Sequence, residues 1–291
     1  MPLGTEADGS VRVERTRRAA LWVDVRWRAR FEQSKWRSGK AVLDHFTRGH
    51  PPPWPRMLIV PPDPGPGGGD GPRFFFKLYN HPEWDWRPWH KYSRWRYWWR
   101  ESKASREFRN YGNLERLGIP CAQRVAWGER RDLLGRLRWA FILTEAIPEV
   151  VTLPEFFQIQ ARHPDAGLRR SRRIRVIRQL ADMTRRIHAA GFFHNDLYGR
   201  NVLVRLLPAG GDPEVYWIDC PKGGYNARES RHRRLRIKDL ASLDLTAMAV
   251  ATRPERLRFL LEYCGERRLT PSVRHLILDV VRYRQSRWPV G

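Results

Sequence analysis

An aspartate, Asp196, stands five residues before an asparagine, Asn201; His194 is two residues ahead of it, and the apolar run Val202-Leu203-Val204 follows directly. Those residue types at that spacing suit one kind of chemistry. A carboxylate held in a loop can orient a hydroxyl and take its proton. An asparagine oxygen nearby can hold a hard cation against a nucleotide. Phosphoryl transfer needs those two parts and a cation on the phosphates, and asks little covalent work of the protein. Taken alone, the stretch also fits a structural turn, because Asp and Asn favour turns through local hydrogen bonds. The other parts must therefore lie at the right places in the chain.

Lys77 ends the run Phe74-Phe75-Phe76-Lys77. A lysine on an inner strand can reach nucleotide phosphates if a carboxylate from a following helix holds it. Glu107, in Ser105-Arg106-Glu107-Phe108, is the better candidate and Glu115, eight residues on, the alternative. Asp219 closes the strand-like run Val215-Tyr216-Trp217-Ile218, 23 residues after Asp196, which leaves room for one hairpin. With Asn201 it would supply oxygen donors suited to Mg²⁺. An edge lysine, a surface glutamate and a turn-capping aspartate are the plainer readings of Lys77, Glu107 and Asp219.

These residues need strands and helices to position them. Residues 21–30 alternate apolar and polar side chains and read as a strand, whereas residues 1–18 read as disordered. Residues 56–60 and 73–79 read as two strands of a hairpin around the Pro/Gly stretch 61–72. Between Trp84 and Trp99 six tryptophans interleave with arginines and a lysine. Helical spacing begins near Lys91 and runs towards Leu117, closing at Gly118. Residues 137–144 read as a strand broken at Glu145-Ala146-Ile147-Pro148. Residues 168–190 make a helix with an Ile/Leu stripe on one side, arginines on the other and Gly191 as its stop. Strands over 201–206 and 215–218 follow, then helices from about 237. Strand-rich and helix-rich halves meet near residue 147, which predicts lobes over 19–147 and 148–291.

In that order the parts resemble the kinase-like fold, and more closely the lipopolysaccharide kinase family, whose members phosphorylate Kdo or heptose in the core sugars of bacterial outer-membrane lipid. The resemblance rests on Phe76-Lys77-Leu78-Tyr79, Arg106-Glu107-Phe108, Leu117-Gly118-Ile119-Pro120, residues 194–204, Ile218-Asp219 and Lys238-Asp239-Leu240-Ala241-Ser242-Leu243. It spans roughly residues 70–250. It implies an α+β, bilobal protein-kinase-like fold with a strand-rich N-lobe and a mainly helical C-lobe. It implies ATP and Mg²⁺ as cofactors, Asp196 as base, Asn201 and Asp219 as metal ligands, and Lys77 with Glu107 as phosphate clamp. Glu145 to Ile147 would be the hinge meeting adenine, and Asp239 would support the catalytic loop from beneath. The sequence departs from the pattern in three ways. No Gly-rich phosphate loop is visible; a substitute would lie between about residues 28 and 56, where Gly39 and Gly49 are the only glycines. Cys220-Pro221 replaces Phe-Gly after the metal aspartate. No lysine stands two residues after Asp196, so Arg200 is the expected cation for the transferred phosphoryl group.

Composition bounds the partners. Lys+Arg number 55 against Asp+Glu 31, a net charge of +24. Such a balance expects an anionic partner: a lipid-linked or phosphorylated sugar acceptor, an anionic membrane face, or nucleic acid. Tryptophan favours membrane interfaces and basic clusters are drawn to anionic lipid, so the segment 84–100 is a candidate membrane contact. A core-packing helix is the plainer reading of it. Three scattered cysteines argue against a disulfide framework, and neither a signal-peptide core nor a long apolar run is visible. A cytoplasmic protein, peripheral on the inner membrane, is the expectation.

Overall fold

The computed structural model describes residues 10–15, 18–33, 36–48, 57–60, 72–80, 101–207 and 211–288. The Trp/Arg-rich stretch 84–100 and most of the Pro/Gly stretch lie outside the described residues. The chain divides into two compact units, Met1–Gly112 with Ala122–Ala146, and Asn113–Cys121 with Ile147–Gly291.

The first unit is built on six strands: β1 (Ser10–Arg15), β2 (Ala19–Asp24), β3 (Met57–Val60), β4 (Phe74–Asn80), β5 (Arg124–Arg131) and β6 (Leu137–Glu145). They form one antiparallel sheet in the order β1-β2-β5-β6-β4-β3. The helices are α1 (Arg28–Gln33), α2 (Gly39–Thr47) and α3 (Lys103–Arg116), the last crossing into the second unit at Asn113. Phe31 of α1 and Val42, Leu43 and Phe46 of α2 pack with Leu21, Val23, Phe74, Phe76, Trp139 and Phe141 in one apolar core. Phe46 stacks on Phe76 with ring centroids 5.2 Å apart. Since successive strand residues alternate faces, burying Phe74, Phe76 and Leu78 in that core turns Phe75, Lys77 and Tyr79 to the other face.

The expected hairpin of residues 56–60 and 73–79 forms, with Met57 opposite Lys77. Three expectations are corrected. Residues 10–15, read as disordered, are a strand that pairs with β2, Val11 opposite Val23; Val11 is buried despite its charged neighbours. The strand read over 21–30 stops at Asp24. The buried Asp24 carboxylate accepts from the Arg26 backbone N–H at 3.0 Å and pairs with Arg124 at 3.1 Å. This cap starts the helical turn that leads to α1. The described part of 28–56, where a phosphate loop was expected, is largely helical. Gly39 opens α2 because a Cβ there would come 2.8 Å from the Trp139 ring. Of the helix expected from about Lys91, residues 91–100 lie outside the described residues; α3 begins at Lys103, where Ser102 Oγ accepts from the Ser105 N–H at 3.2 Å. It ends where expected: Gly118 is left-handed at φ 63°, and the N–H groups of Gly118 and Ile119 return to Glu115 and Leu114.

The second unit holds β7 (Val150–Thr152), α4 (Leu153–Ala161), α5 (Ala166–Ala189), β8 (Phe192–Phe193), β9 (Val202–Arg205), β10 (Glu214–Trp217), β11 (Gly224–Tyr225), α6 (His232–Val250), α7 (Arg253–Cys264) and α8 (Pro271–Arg287). Its sheets are β10-β9-β7 and β11-β8. α5 buries Val176, Ile177, Leu180, Ala181 and Ile187. Asp165 caps its start, and Gly191 at φ 71° follows its end. Arg173, one of the arginines set opposite the apolar stripe, is buried. It pairs with Glu255 at 2.7 Å and lies 4.5 Å from the Phe157 ring centroid. No helix among the described residues is long and apolar enough to cross a membrane.

Candidate active site

In the first unit, the outward face of β4 meets α3. Lys77 Nζ lies 3.3 Å from both carboxylate oxygens of Glu107. Glu107 is 1% exposed, and its carboxylate also accepts from the Tyr79 and Tyr111 hydroxyls. Lys77 sits 4.8 Å from the Tyr79 ring centroid. A buried carboxylate is tolerable only when paired and hydrogen-bonded, and three donors meet that demand. Of the two glutamates the sequence offers, it is Glu107 that the structure brings to Lys77. At the end of β6 the Glu145 N–H donates to Gln123 O and the Ala146 N–H to Arg73 O, both at 2.8 Å. The Ile147 N–H has no partner among the described residues.

In the second unit, the loop carrying Asp196 runs from β8 to a single 3₁₀ turn at Gly199–Asn201 and into β9. Asp239 of α6 holds its start. Its two carboxylate oxygens accept from the backbone N–H groups of His194 and Asn195, each at 2.8 Å. Asp239 Oδ2 also faces His188 Nε2 at 3.4 Å. Asn195 takes a left-handed φ of 63°. Its side chain secures that bend: Nδ2 donates to Lys222 O at 3.3 Å and Oδ1 accepts from Lys238 Nζ at 3.2 Å. His194 is fully buried, edge-on to Trp217, with Nε2 3.3 Å from Ile218 O. Burial pushes the His194 imidazole below its ordinary value, against the pull of Asp239, Asp219 and Asp196. A neutral ring whose Nε2–H donates to the Ile218 carbonyl follows. His194 is therefore a brace between the loop and the end of β10.

Asn201 Nδ2 donates to the Asp196 carbonyl at 2.8 Å, and the Ile218 N–H donates to the Asn201 carbonyl at 3.0 Å. The second bond sets the residue before Asp219 beside Asn201. Asp219 itself is left-handed, φ 57°, a conformation costly for a residue with a Cβ and often found at functional sites. Asp196, Asn201 and Asp219 thus share one hydrogen-bonded frame within one unit. No group of three or more His, Cys, Asp or Glu side chains that could hold a metal occurs among the described residues. An Asn–Asp pair fits a Mg²⁺ that draws its remaining ligands from phosphate and water.

Two cations that sequence reading passed over stand at this frame. Lys222 Nζ donates to Asp196 Oδ1 at 3.0 Å. Lys238 is half-buried, and that burial above all lowers its pKa, opposed by Asp239 and reinforced by Lys222. Lys222 comes from 26 residues beyond Asp196, past the hairpin, so local spacing carries no signal for it. Lys238 lies inside the quoted Lys238-Asp239 pair and could have been read as its neighbour's companion. Arg200 is exposed, with its guanidinium 4.3 Å from the Tyr198 ring centroid. Thr246, also missed, accepts from the Gly199 N–H at 3.1 Å, and a Cβ on Gly199 would come 2.5 Å from the Thr246 methyl.

The family model described as the lipopolysaccharide kinase (Kdo/WaaP) family matches residues 84–263. Two relatives, both lipopolysaccharide core heptose(I) kinase WaaP, come from Escherichia coli and its strain K12. The first is 30% identical over 164 residues, 55% of this chain and 59% of the relative. The second is 29% identical over 166 residues, 56% of this chain and 60% of the relative. The match thus spans less than two thirds of either relative. A solved structure of WaaP in complex with acyl carrier protein is similar at a TM-score of 0.55 and 23% identity, over 80% of this chain and 86% of that one. That likeness is one of fold, and the fold is the α+β, protein-kinase-like one.

Proposed function

Because the chain belongs to the lipopolysaccharide kinase (Kdo/WaaP) family, we propose that it is an ATP-dependent phosphotransferase whose acceptor is a hydroxyl of a lipopolysaccharide core sugar. The observation that carries this reading is the frame that joins Asp196, Asn201 and Asp219 through the Asn201 amide and the Ile218 N–H.

Asp196 is the base. Its side chain is 14% exposed, open enough to meet an acceptor hydroxyl and sheltered enough to hold one orientation. Asn201 spends its amide N–H on the Asp196 carbonyl, so its side-chain oxygen is the atom left to meet Mg²⁺ with Asp219. The ion, when bound, neutralises negative charge on the phosphate oxygens. Lys77, fixed by Glu107, binds the nucleotide phosphates, and the backbone from Glu145 to Ile147 receives adenine. The curated relatives are heptose kinases by name, which makes heptose the first acceptor to try and Kdo the second. The acceptor is lipid-linked, so we place the reaction at the cytoplasmic face of the inner membrane, with the surplus of basic residues facing anionic lipid. The solved WaaP structure is a complex with acyl carrier protein, which makes such a carrier protein a second partner to try.

The test is phosphate transfer from γ-labelled ATP with Mg²⁺ to core lipopolysaccharide, to free heptose or Kdo, and to a generic protein. Asp196→Asn should lower turnover by about two to four powers of ten, the usual weight of a general base, without lowering the melting temperature. Equal inactivity of wild type and variant towards every acceptor would sink the kinase reading, and label in the protein rather than the sugar would reassign the acceptor.

A further inference from the structure

A kinase base works beside a cation that meets the charge of the phosphoryl group in flight. In this chain the position two residues after Asp196 is Tyr198, which cannot supply one. Arg200 lies over that tyrosine ring. The cation on Asp196 is Lys222, at 3.0 Å from Oδ1. It sits three residues past Asp219, in Asp219-Cys220-Pro221-Lys222-Gly223-Gly224.

The backbone and the tip of Lys222 are treated differently. Its carbonyl accepts from Asn195 Nδ2 at 3.3 Å, and the Asn195 carbonyl-oxygen side chain is itself held by Lys238. Cys220 and Pro221 before it are buried, and the Gly223 N–H closes a turn onto the Cys220 carbonyl at 3.1 Å. The main chain at Lys222 is thus tied to the Asp196 loop. The side chain, in contrast, is 56% exposed. An ion pair that open is worth on the order of 0–1 kcal/mol, so the ammonium leaves the carboxylate easily when a more highly charged anion arrives. A lysine suits such a transfer, being a compact charge on a flexible stem. Lys238 does not: it is half-buried and committed to Asn195.

We propose that Lys222 is a catalytic residue, the cation that passes from Asp196 to the non-bridging oxygens of the γ-phosphoryl group during transfer. The proposal rests on the kinase reading of the Asp196 site. In the step, the acceptor oxygen forms a bond to the γ-phosphorus while its proton goes to Asp196. The bond from the γ-phosphorus to the β–γ bridging oxygen breaks, and its electron pair leaves with ADP. Lys222 gives up no proton. It balances the charge on the three equatorial oxygens, and its departure frees Asp196 Oδ1 for the acceptor hydroxyl.

The experiment compares wild type, Asp196→Asn, Lys222→Met and Lys222→Arg on core lipopolysaccharide with labelled ATP, reading kcat and both KM values. Lys222→Met should lower kcat by about 10²–10³-fold, the loss usual for one donor to a developing anion, with KM for ATP and for acceptor changed by less than about threefold. Lys222→Arg should recover part of the lost kcat, because the charge returns on a bulkier head. Melting temperatures of both variants should match wild type, given an exposed side chain. A kcat for Lys222→Met within about threefold of wild type overturns the proposal, as does a loss confined to the acceptor KM, which would make Lys222 an acceptor clamp. Failure of the kinase reading looks different, since wild type and Asp196→Asn would then be equally inactive.

Discussion

Asp239 supports more of the site than any residue that could touch substrate. It accepts two backbone N–H groups at the start of the Asp196 loop and faces His188, whose Nδ1 lies 2.9 Å from the Tyr263 hydroxyl. Asp239 is fully buried, so replacing it strands the buried His194 N–H and the part-buried Asn195 N–H. Each hydrogen bond to a charged group is worth about 1.5–3 kcal/mol. Asp239→Ala should therefore cost about 3–5 kcal/mol in urea unfolding and lower kcat as well, because Asn195 and Asp196 lose their anchor. A variant that unfolds like wild type yet has lost activity would show that Asp239 acts on chemistry rather than on the loop. Lys77 and Glu107 pose the same question in the other unit. Lys77→Met removes the cation that pairs with a buried carboxylate, and breaking such a pair costs about 3–5 kcal/mol. That variant should lose stability and nucleotide affinity together. At this scale much was legible in the sequence: the spacing of His194, Asp196 and Asn201, and the strand-borne Lys77. What escaped was Lys222, whose partner is 26 residues away, since a pattern read along the chain holds no record of which turn folds back onto which.

Among the elements, α7 shows how one residue can serve a local and a distant purpose. Glu255 completes a capping box with Thr252 at the start of α7 and also binds Arg173 of α5 through two hydrogen bonds, 2.7 and 2.8 Å. Thr252-Arg253-Pro254-Glu255 is a helix signal carried by local sequence. The tie to Arg173 is not, because it joins residues 82 positions apart in the chain. Similarly, the break at Asp24 was hidden because its capping role depends on Arg124 arriving from β5. Burial acts to raise the Glu255 pKa, yet Arg173 and Thr252 outweigh it and hold the carboxyl below its ordinary 4.5. A depressed folded value means that the unfolded chain binds the proton more readily. The Glu255 contribution is then complete at pH values above about 4.5 and is lost as pH falls through the lower folded value. Glu255→Gln should be less stable than wild type by about 1.5–3 kcal/mol near neutral pH, and the gap should close in acid. A gap that persists unchanged at pH 3 would assign the stabilisation to packing of the side chain, not to its charge.

For the molecule as a whole, a net charge of +24 suits an anionic partner, but the charge is not spread evenly. α5 carries arginines on the side opposite its apolar stripe. There Arg175 pairs with Asp212, Arg178 with Glu262, and Arg185 and Arg186 with Asp182. Those carboxylates come from other segments as well as from α5 itself, and they offset much of its field. The segment that follows the Asp219 turn is different. Arg228, Arg231 and Arg234 are exposed, and none of them pairs with a carboxylate among the described residues. A basic side chain near an anionic surface contributes on the order of 1 kcal/mol, and the attraction fades within a Debye length of about 10 Å at 0.1 M salt. Vesicles containing anionic lipid should therefore bind the protein at low salt and release it as salt rises, while neutral vesicles bind weakly throughout. Reversing Arg228, Arg231 and Arg234 to glutamate should weaken binding to anionic vesicles more than reversing Arg175, Arg178 and Arg185, although each set changes net charge equally. Cosedimentation at two salt concentrations separates the outcomes. Equal loss from both triple variants would mean that total charge governs attraction, and no loss from either would move the contact to another surface of the chain. Unequal loss in the expected direction would place the lipid on the segment that continues from Asp219 and Lys222, which brings a membrane-held sugar to the side of the fold where Asp196 waits.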